Sequence, residues 1–228
     1  MDINRWVRIV SGIISMLMFF AISMRAAGAI SGERDKVSWI SLISTPLSAD
    51  EILWGKWWGC VLGMRRVYLV FTIIWSIGLA VGGVRPEMLP LMILSLAIYV
   101  SAFSWIGLYC SMTARTTMIA TVRAFFATLF FAGGFWVILL SCALVSSSSS
   151  RRGDPLIVTA NLFYSLTPSF MVGWLPLFEF RTRELSPFDE TEMTFWLLPA
   201  VGLFCWLAFN VVAFLVCQDR FRRLRQSE

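Results

Sequence analysis

The sequence contains no histidine. Histidine is the commonest general base in enzymes and a frequent ligand of metals and haem, so its absence argues against several large classes of enzyme and metalloprotein. The cysteines are scattered and none forms a Cys-x-x-Cys pair, so neither a zinc site nor a redox pair is indicated. We therefore predict no metal and no cofactor, and we interpret the cysteines as small apolar packing residues. They are Cys60, Cys110, Cys142, Cys205 and Cys217.

Charged residues are also scarce. They make up 14% of the 228 residues, whereas 58% are apolar, and the mean hydropathy is +0.75. A soluble domain of this length needs more polar surface to cover its core. We therefore predict an all-α, polytopic transmembrane bundle in contact with the lipid bilayer. The net charge of +5 does not point to nucleic acid, because the arginines flank apolar runs and face anionic headgroups.

Five long apolar runs predict five membrane spans within a single transmembrane domain, 1–228. A helix needs about 20 apolar residues to cross a bilayer, and the runs lie at about 9–30, 67–84, 91–112, 124–145 and 195–217. A sixth stretch, 155–178, is broken by three prolines, which interrupt helices. We favour an external re-entrant helical hairpin there over a straight span. Its polar residues Asn161, Ser165 and Thr167 either line an exit path or pack within the turn.

The placement of lysine and arginine predicts the orientation. With five spans and an external amino terminus, most of the 19 lysines and arginines are cytoplasmic, including the basic carboxy-terminal tail. With six spans and both termini inside, the two sides are nearly balanced. We therefore predict the five-span arrangement, in the inner (cytoplasmic) membrane of the cell, with the first apolar run kept as a span. The serine run 146–150 is then an external linker.

One cytoplasmic stretch, 32–63, differs from an ordinary loop. Its first part, 33–44, has an amphipathic pattern that predicts a surface helix ending at Thr45-Pro46. Ser48 then opens a second helix, with Glu51 completing a capping box. This helix carries a cluster of tryptophans typical of a membrane interface and a glycine every fourth residue, a spacing that permits close helix contact. The pattern alone is also compatible with a tightly packed entry to the second span.

The same stretch resembles the cytoplasmic signature of the ABC type-2 transporter permease family. In that family, a Glu-Arg-Glu lead precedes a Thr-Pro-Leu-Ser turn and a Glu-Ile-Leu-x-Gly-Lys helix. The matching residues here are Glu33, Arg34, Thr45, Pro46, Leu47, Ser48, Glu51, Ile52, Gly55 and Lys56. A second, weaker match comprises Gly107, Leu108, Ser111, Ala114, Arg115 and Ala120.

The sequence also departs from the family pattern. Asp35 replaces a usual glutamate, and Val37-Ser38 replaces a common Gly-Thr. The family has six spans with the signature after the second, whereas here the signature follows the first. We therefore expect one span fewer than in a complete permease.

The resemblance implies a function and two partners. In the family, the signature residues form the coupling element that docks on a separate ATP-binding-cassette ATPase subunit. A second permease chain, identical or not, is expected to complete the transporter. The resemblance thus predicts an exporter permease of unidentified substrate. A non-transporting membrane scaffold or regulator derived from such a permease is the alternative.

Three further observations narrow the chemistry. The chain has no Gly-x-x-x-x-Gly-Lys-Ser/Thr phosphate-binding loop, so we expect ATP hydrolysis on the partner and no enzymatic activity here. An ion-coupled transporter usually carries acidic residues within its spans, whereas Asn210 is the clearest strongly polar residue in these. A membrane-embedded enzyme needs a positioned base or nucleophile, and no acidic cluster lies at membrane depth.

Overall fold

A computed structural model describes residues 3–35, 48–82, 84, 86, 89–134, 167, 168, 172 and 191–226. These residues form six α-helices and no strand, which confirms the all-α prediction for the described part of the chain. The helices are α1 (Ile3–Asp35), α2 (Ala49–Leu62), α3 (Arg65–Ala80), α4 (Leu89–Thr113), α5 (Thr117–Leu129) and α6 (Thr191–Gln226). A π-helical turn, Phe130–Gly134, follows α5.

Within the described part of the chain, three helices are long and apolar enough to cross a membrane. They contain the stretches Ile9–Arg34, Leu89–Thr113 and Ala200–Leu224, and they overlap the predicted spans 9–30, 91–112 and 195–217. Helices α2 and α3 pass the same test only as a pair bent by 47°, which would make a fourth crossing. These lengths agree with the prediction of a multi-pass membrane protein.

The other predicted elements are described only in part. The predicted span 67–84 corresponds to α3, which has only 16 residues. The predicted span 124–145 begins within α5, and its part beyond residue 134 lies outside the described residues. The predicted re-entrant segment 155–178 lies outside them too, except for three isolated positions, of which Thr167 is buried.

The first helix extends further than the sequence pattern indicated. We predicted a separate surface helix over 33–44, but Glu33, Arg34 and Asp35 form the last turn of α1. Two glycines precede this turn without ending the helix. A Cβ at Gly28 or Gly32 would lie at an ordinary contact distance, 4.0 Å, from the Thr117 side chain, so α5 packs against this part of α1. Residues 36–47 lie outside the described residues.

The chain divides into two compact units. The first comprises 1–16, 71–96 and 129–206. In it, the Trp75 indole Nε1–H donates a hydrogen bond to the Ser11 hydroxyl at 3.3 Å. Gly78 lies directly against Val7, because a Cβ added at this glycine would be 3.1 Å from the Val7 side chain. Aromatic and aliphatic packing therefore joins α3 to the start of α1.

The second unit comprises 17–70, 97–128 and 207–228. Within it, α1 and α4 run in the same direction. Phe19 stacks on Phe103 with ring centroids 4.8 Å apart. Further along both helices, the Ser31 backbone N–H donates to the Ser111 hydroxyl at 2.8 Å.

Helix α6 also runs parallel to α4 in this unit. The Asn210 side-chain amide donates to the Ile98 carbonyl at 3.1 Å. One hundred and twelve residues separate this pair, and the same separation recurs where the Cys217 thiol contacts the Trp105 carbonyl at 3.7 Å. A constant sequence separation between successive contacts is expected when two helices run parallel. Since α4 is also parallel to α1, the helices α1, α4 and α6 share one direction.

Helices α2 and α5 run opposite to α1 in the same unit. Phe20 packs on Phe125 with ring centroids 5.1 Å apart, while Gly28, later in α1, faces Thr117, earlier in α5. Similarly, Arg25 contacts Gly63 at the end of α2. The second unit therefore combines three helices of one direction with two of the other.

Candidate coupling site around helix α2

The start of α2 is fixed by a local hydrogen-bond network. The Ser48 hydroxyl accepts from the Glu51 backbone N–H at 3.3 Å. The Ser48 backbone N–H and hydroxyl each donate to Glu51 Oε2 at 2.8 Å. This is the capping box that the sequence predicted. Both donors favour the charged carboxylate, and they hold the pKa of the exposed Glu51 below its usual value.

An ion pair joins α2 to the end of α1. The Lys56 ammonium contacts the Glu33 carboxylate, and both side chains are partly buried. These two residues belong to the same predicted signature but lie on opposite sides of the predicted Thr45-Pro46 turn. The structure thus brings together two of the predicted site residues that are distant in sequence.

A second polar contact joins α2 to α6. The Gln218 amide donates to Asp50 Oδ1 at 2.7 Å, and Arg222 lies 3.5 Å from Asp50 Oδ2. The sequence did not predict this contact, because the pairing depends on the direction and depth of α6. From the sequence, the arginines that flank the apolar runs were predicted to face anionic headgroups. The position of Asp50 in the first turn of α2 was the one available signal, since an acidic side chain is favourable there.

An aromatic cluster fills the space between these contacts. Trp57 stacks on Trp105 of α4 at a ring-centroid distance of 6.0 Å and an interplanar angle of 14°. Trp54 lies 5.0 Å from Trp57 and 5.6 Å from Phe214 of α6. Each such pair contributes about 0.5–1.5 kcal/mol beyond the area that it buries. The tryptophans that we assigned to an interfacial belt thus also form the packing surface between α2, α4 and α6.

The inner face of α2 belongs to the core of the second unit. Ile52 and Leu53 are buried in one hydrophobic cluster with Ile30 of α1, Met112 of α4 and Phe221 of α6. The predicted site residue Ile52 is therefore a packing residue, and α2 is held by three helices at once.

The opposite face of α2 is open. Glu51, Gly55 and Gly59 are exposed, and a Cβ at either glycine would meet nothing within 4 Å. Trp58 on the same side is 50% exposed. The glycines therefore make no close contact within the described residues and leave a shallow surface that a partner could approach.

The second, weaker sequence match extends from the end of α4 through the following turn into α5. The Ser111 hydroxyl accepts from the Ile30 backbone N–H at 3.0 Å, and the Arg34 guanidinium reaches the Ala114 carbonyl at 3.5 Å. Gly107 packs directly against the Ser23 carbonyl and the Ala26 side chain. Both matched motifs therefore contact the carboxy-terminal half of α1.

Three predicted site residues, Thr45, Pro46 and Leu47, lie outside the described residues. Among the residues that the structure describes, no group of His, Cys, Asp and Glu side chains could hold a metal ion. Comparison with known proteins adds no assignment, since no family model matches the chain and a search of curated proteins finds no match.

Proposed function

We propose that this chain is the permease subunit of an ABC-type exporter, and that α2 with the last turn of α1 is its coupling element. The observation that carries the proposal is the two-sided character of α2. One face is fixed to α1, α4 and α6, whereas the other, around Glu51 and Gly55, is exposed. A helix that receives force from a soluble subunit requires this arrangement, because the force must enter on one side and leave on the other.

Displacement of α2 would reach three helices through separate contacts. The Glu33–Lys56 pair acts on α1, the stacked Trp57 acts on α4, and the Asp50–Gln218 hydrogen bond acts on α6. Packed helices shift between discrete arrangements because dense cores do not deform continuously. In the proposed cycle, a separate ATPase closes on ATP and moves α2, and the helices then turn a cavity from the cytoplasm to the exterior.

The proposed topology has five spans, an external amino terminus and a cytoplasmic carboxy terminus. The helix directions support it. Helix α5 runs opposite to α1, and α6 runs parallel to α4 and α1, which favours an even number of crossings between α5 and α6 if both helices cross the bilayer. One full crossing by 155–178 would make α6 parallel to α5. A re-entrant hairpin in that segment satisfies the observed directions, with the cell's inner membrane as the proposed location.

The proposed complex contains an ATP-binding-cassette ATPase and a second permease chain, either a copy or a relative. A non-transporting scaffold or regulator would use the same open face of α2 to bind the ATPase. The two possibilities differ in what the bound ATPase does. A permease makes ATP hydrolysis depend on the helices behind α2, whereas a scaffold leaves the hydrolysis rate unchanged.

Affinity purification tests this proposal. The tagged chain is extracted from its native membrane in mild detergent, and co-purified proteins are identified by mass spectrometry with an ATP-hydrolysis assay. We expect an ATP-binding-cassette ATPase with the unaltered chain and at least a tenfold loss with Gly55→Trp, which fills the open face. Met118→Trp is the matched control, because Met118 is 79% exposed on α5.

The outcomes separate the alternatives. Absence of such an ATPase from the unaltered chain, or its equal recovery with both tryptophan variants, contradicts the coupling role of α2. Recovery of an ATPase whose hydrolysis rate is the same with and without the chain supports the scaffold instead.

A further inference from the structure

Three arginines lie at the turn between α2 and α3 without an acidic partner in the described part of the chain. The Arg25 guanidinium of α1 packs against Gly63, occupying the space that a Cβ would take. Arg65 and Arg66 follow at the start of α3, and all three side chains are exposed. Arg25 thus contacts the turn itself, and the other two arginines follow Gly63 by two and three residues.

The acidic side chains near α2 are engaged elsewhere. Glu33 pairs with Lys56, and Asp50 accepts a hydrogen bond from Gln218 in the first turn of α2. Glu51 belongs to the capping box at the same end. Since the three arginines lie at the other end of α2, their charges are not neutralised by these groups. A site with such a charge excess is complementary to an anion.

The position of Arg25 along α1 indicates which anion. An uncharged run extends from Ile9 to Met24, about 24 Å of helix at 1.5 Å per residue. Arg25 follows directly, close to the depth at which the hydrocarbon core, about 30 Å thick, gives way to headgroups. A charge within a span is costly unless it meets water, a counter-charge or the headgroup layer. Phospholipid phosphates are concentrated at this depth.

The surface beside the arginines is apolar and unpacked. Leu62, Leu69 and Val70 are 61%, 63% and 41% exposed. Leu69 lies four residues after Arg65 and three after Arg66, so it shares their face of α3. A ligand that fits this surface has an anionic head and an apolar tail, and a soluble phosphate would leave the apolar part uncovered.

We propose that the α2–α3 turn binds one anionic phospholipid, with its phosphate held by Arg25, Arg65 and Arg66 and an acyl chain along Leu69 and Val70. The site rests on the membrane location of the chain and does not depend on the proposed transport function. Bound lipid would connect α1 to the start of α3, because Arg25 belongs to α1 whereas Arg65 and Arg66 belong to α3.

Native mass spectrometry tests the site on the full chain in detergent, with phosphatidylglycerol and phosphatidylcholine titrated separately. We expect the unaltered chain to bind phosphatidylglycerol more tightly. The variant R25Q/R65Q/R66Q should lose at least tenfold in affinity for it, since each arginine near an anionic headgroup contributes to binding. The control R115Q/R220Q/R223Q removes the same charge elsewhere and should stay within twofold of the unaltered chain.

A second variant keeps every charge. Gly63→Ala places a Cβ where the Arg25 guanidinium lies, so this flexible side chain must move, whereas Gly59→Ala meets nothing. We expect Gly63→Ala to weaken phosphatidylglycerol binding severalfold and Gly59→Ala to leave it unchanged. This pair provides the test if the triple variant fails to fold.

Three results would overturn the site. Equal losses in the two triple variants would mean diffuse charge attraction, and equal affinity for both lipids would mean no headgroup recognition. If millimolar inorganic phosphate displaced the bound lipid as effectively as added phosphatidylglycerol does, the ligand would be a soluble anion.

Discussion

At the scale of single residues, the glycines of this chain differ sharply in what surrounds them. Gly107 sits directly against the backbone carbonyl of Ser23 and the side chain of Ala26, whereas Gly55 faces open space. Backbone cannot move aside as a flexible side chain can. Gly107 is therefore required for the close contact of α4 with α1, and Gly55 is not required for folding.

Substituting alanine at these two glycines tests this difference. Both substitutions give a similar gain in helix propensity, so comparing the variants isolates the packing contribution. We expect Gly107→Ala to lower the free energy of unfolding by about 1–3 kcal/mol relative to Gly55→Ala, as overpacking does in dense cores. Thermal unfolding in detergent, monitored by circular dichroism, measures this difference in stability. Equal stability of the two variants would mean that α1 and α4 are not this close.

Sequence reasoning succeeded best for residues whose partners are near in the chain. Ser48 and Glu51 were predicted as a capping box, because residues three apart at a helix start meet by geometry alone. The Glu33–Lys56 pair was not predicted, although both residues belong to the signature. Asp50 and its partner Gln218 were not predicted at all, since 168 residues separate them and only the packing of α6 brings them together.

At the scale of elements, α2 is a short helix whose start depends on one ionised side chain. The pKa of Glu51 is lowered in the folded protein by hydrogen bonds from the Ser48 backbone N–H and hydroxyl. Folding therefore favours the carboxylate. This stabilisation is present above the unfolded-state pKa, near 4.5, and it is lost as the pH falls through the lower folded-state value.

We therefore predict that the first turn of α2 opens under mild acid. Hydrogen exchange of the amides in this turn, compared with Glu51→Gln at each pH, measures the change. Protection in the unaltered chain should exceed that of the variant at pH 7 and fall towards it below pH 4.5, because Gln can cap a helix but has no charge to lose. A constant difference between pH 7 and pH 3 would show that ionisation of Glu51 does not support the turn.

The boundaries of α1 and α2 show what a pattern cannot determine. The amphipathic pattern over 33–44 suggested a new helix at Glu33, yet α1 continues through Asp35. Gly28 and Gly32 look like helix breakers in the sequence, but α1 continues through both and packs there against Thr117 of α5. Tertiary contact thus overrides the local preference of glycine, which costs only about 1 kcal/mol in a helix.

At the scale of the whole molecule, composition was sufficient to predict an all-helical, multi-pass membrane protein. The scarcity of charge and the long apolar runs determine this outcome, because a bilayer leaves few other ways to satisfy the backbone. The number of crossings could not be read with equal certainty from the sequence, since 155–178 is apolar but broken. Helix direction is the stronger guide, because each crossing reverses it.

The coupling role of α2 requires that this helix lie on the cytoplasmic side of the membrane, with the face around Gly55 accessible. Cysteine labelling tests it. In a chain whose five cysteines are replaced, Gly55→Cys is treated with a membrane-impermeant maleimide in intact cells and in inside-out vesicles. Ser148→Cys, in the predicted external linker, is the control. We predict that Gly55→Cys reacts only in the vesicles and Ser148→Cys only in intact cells. Labelling of Gly55→Cys from outside intact cells would contradict the account.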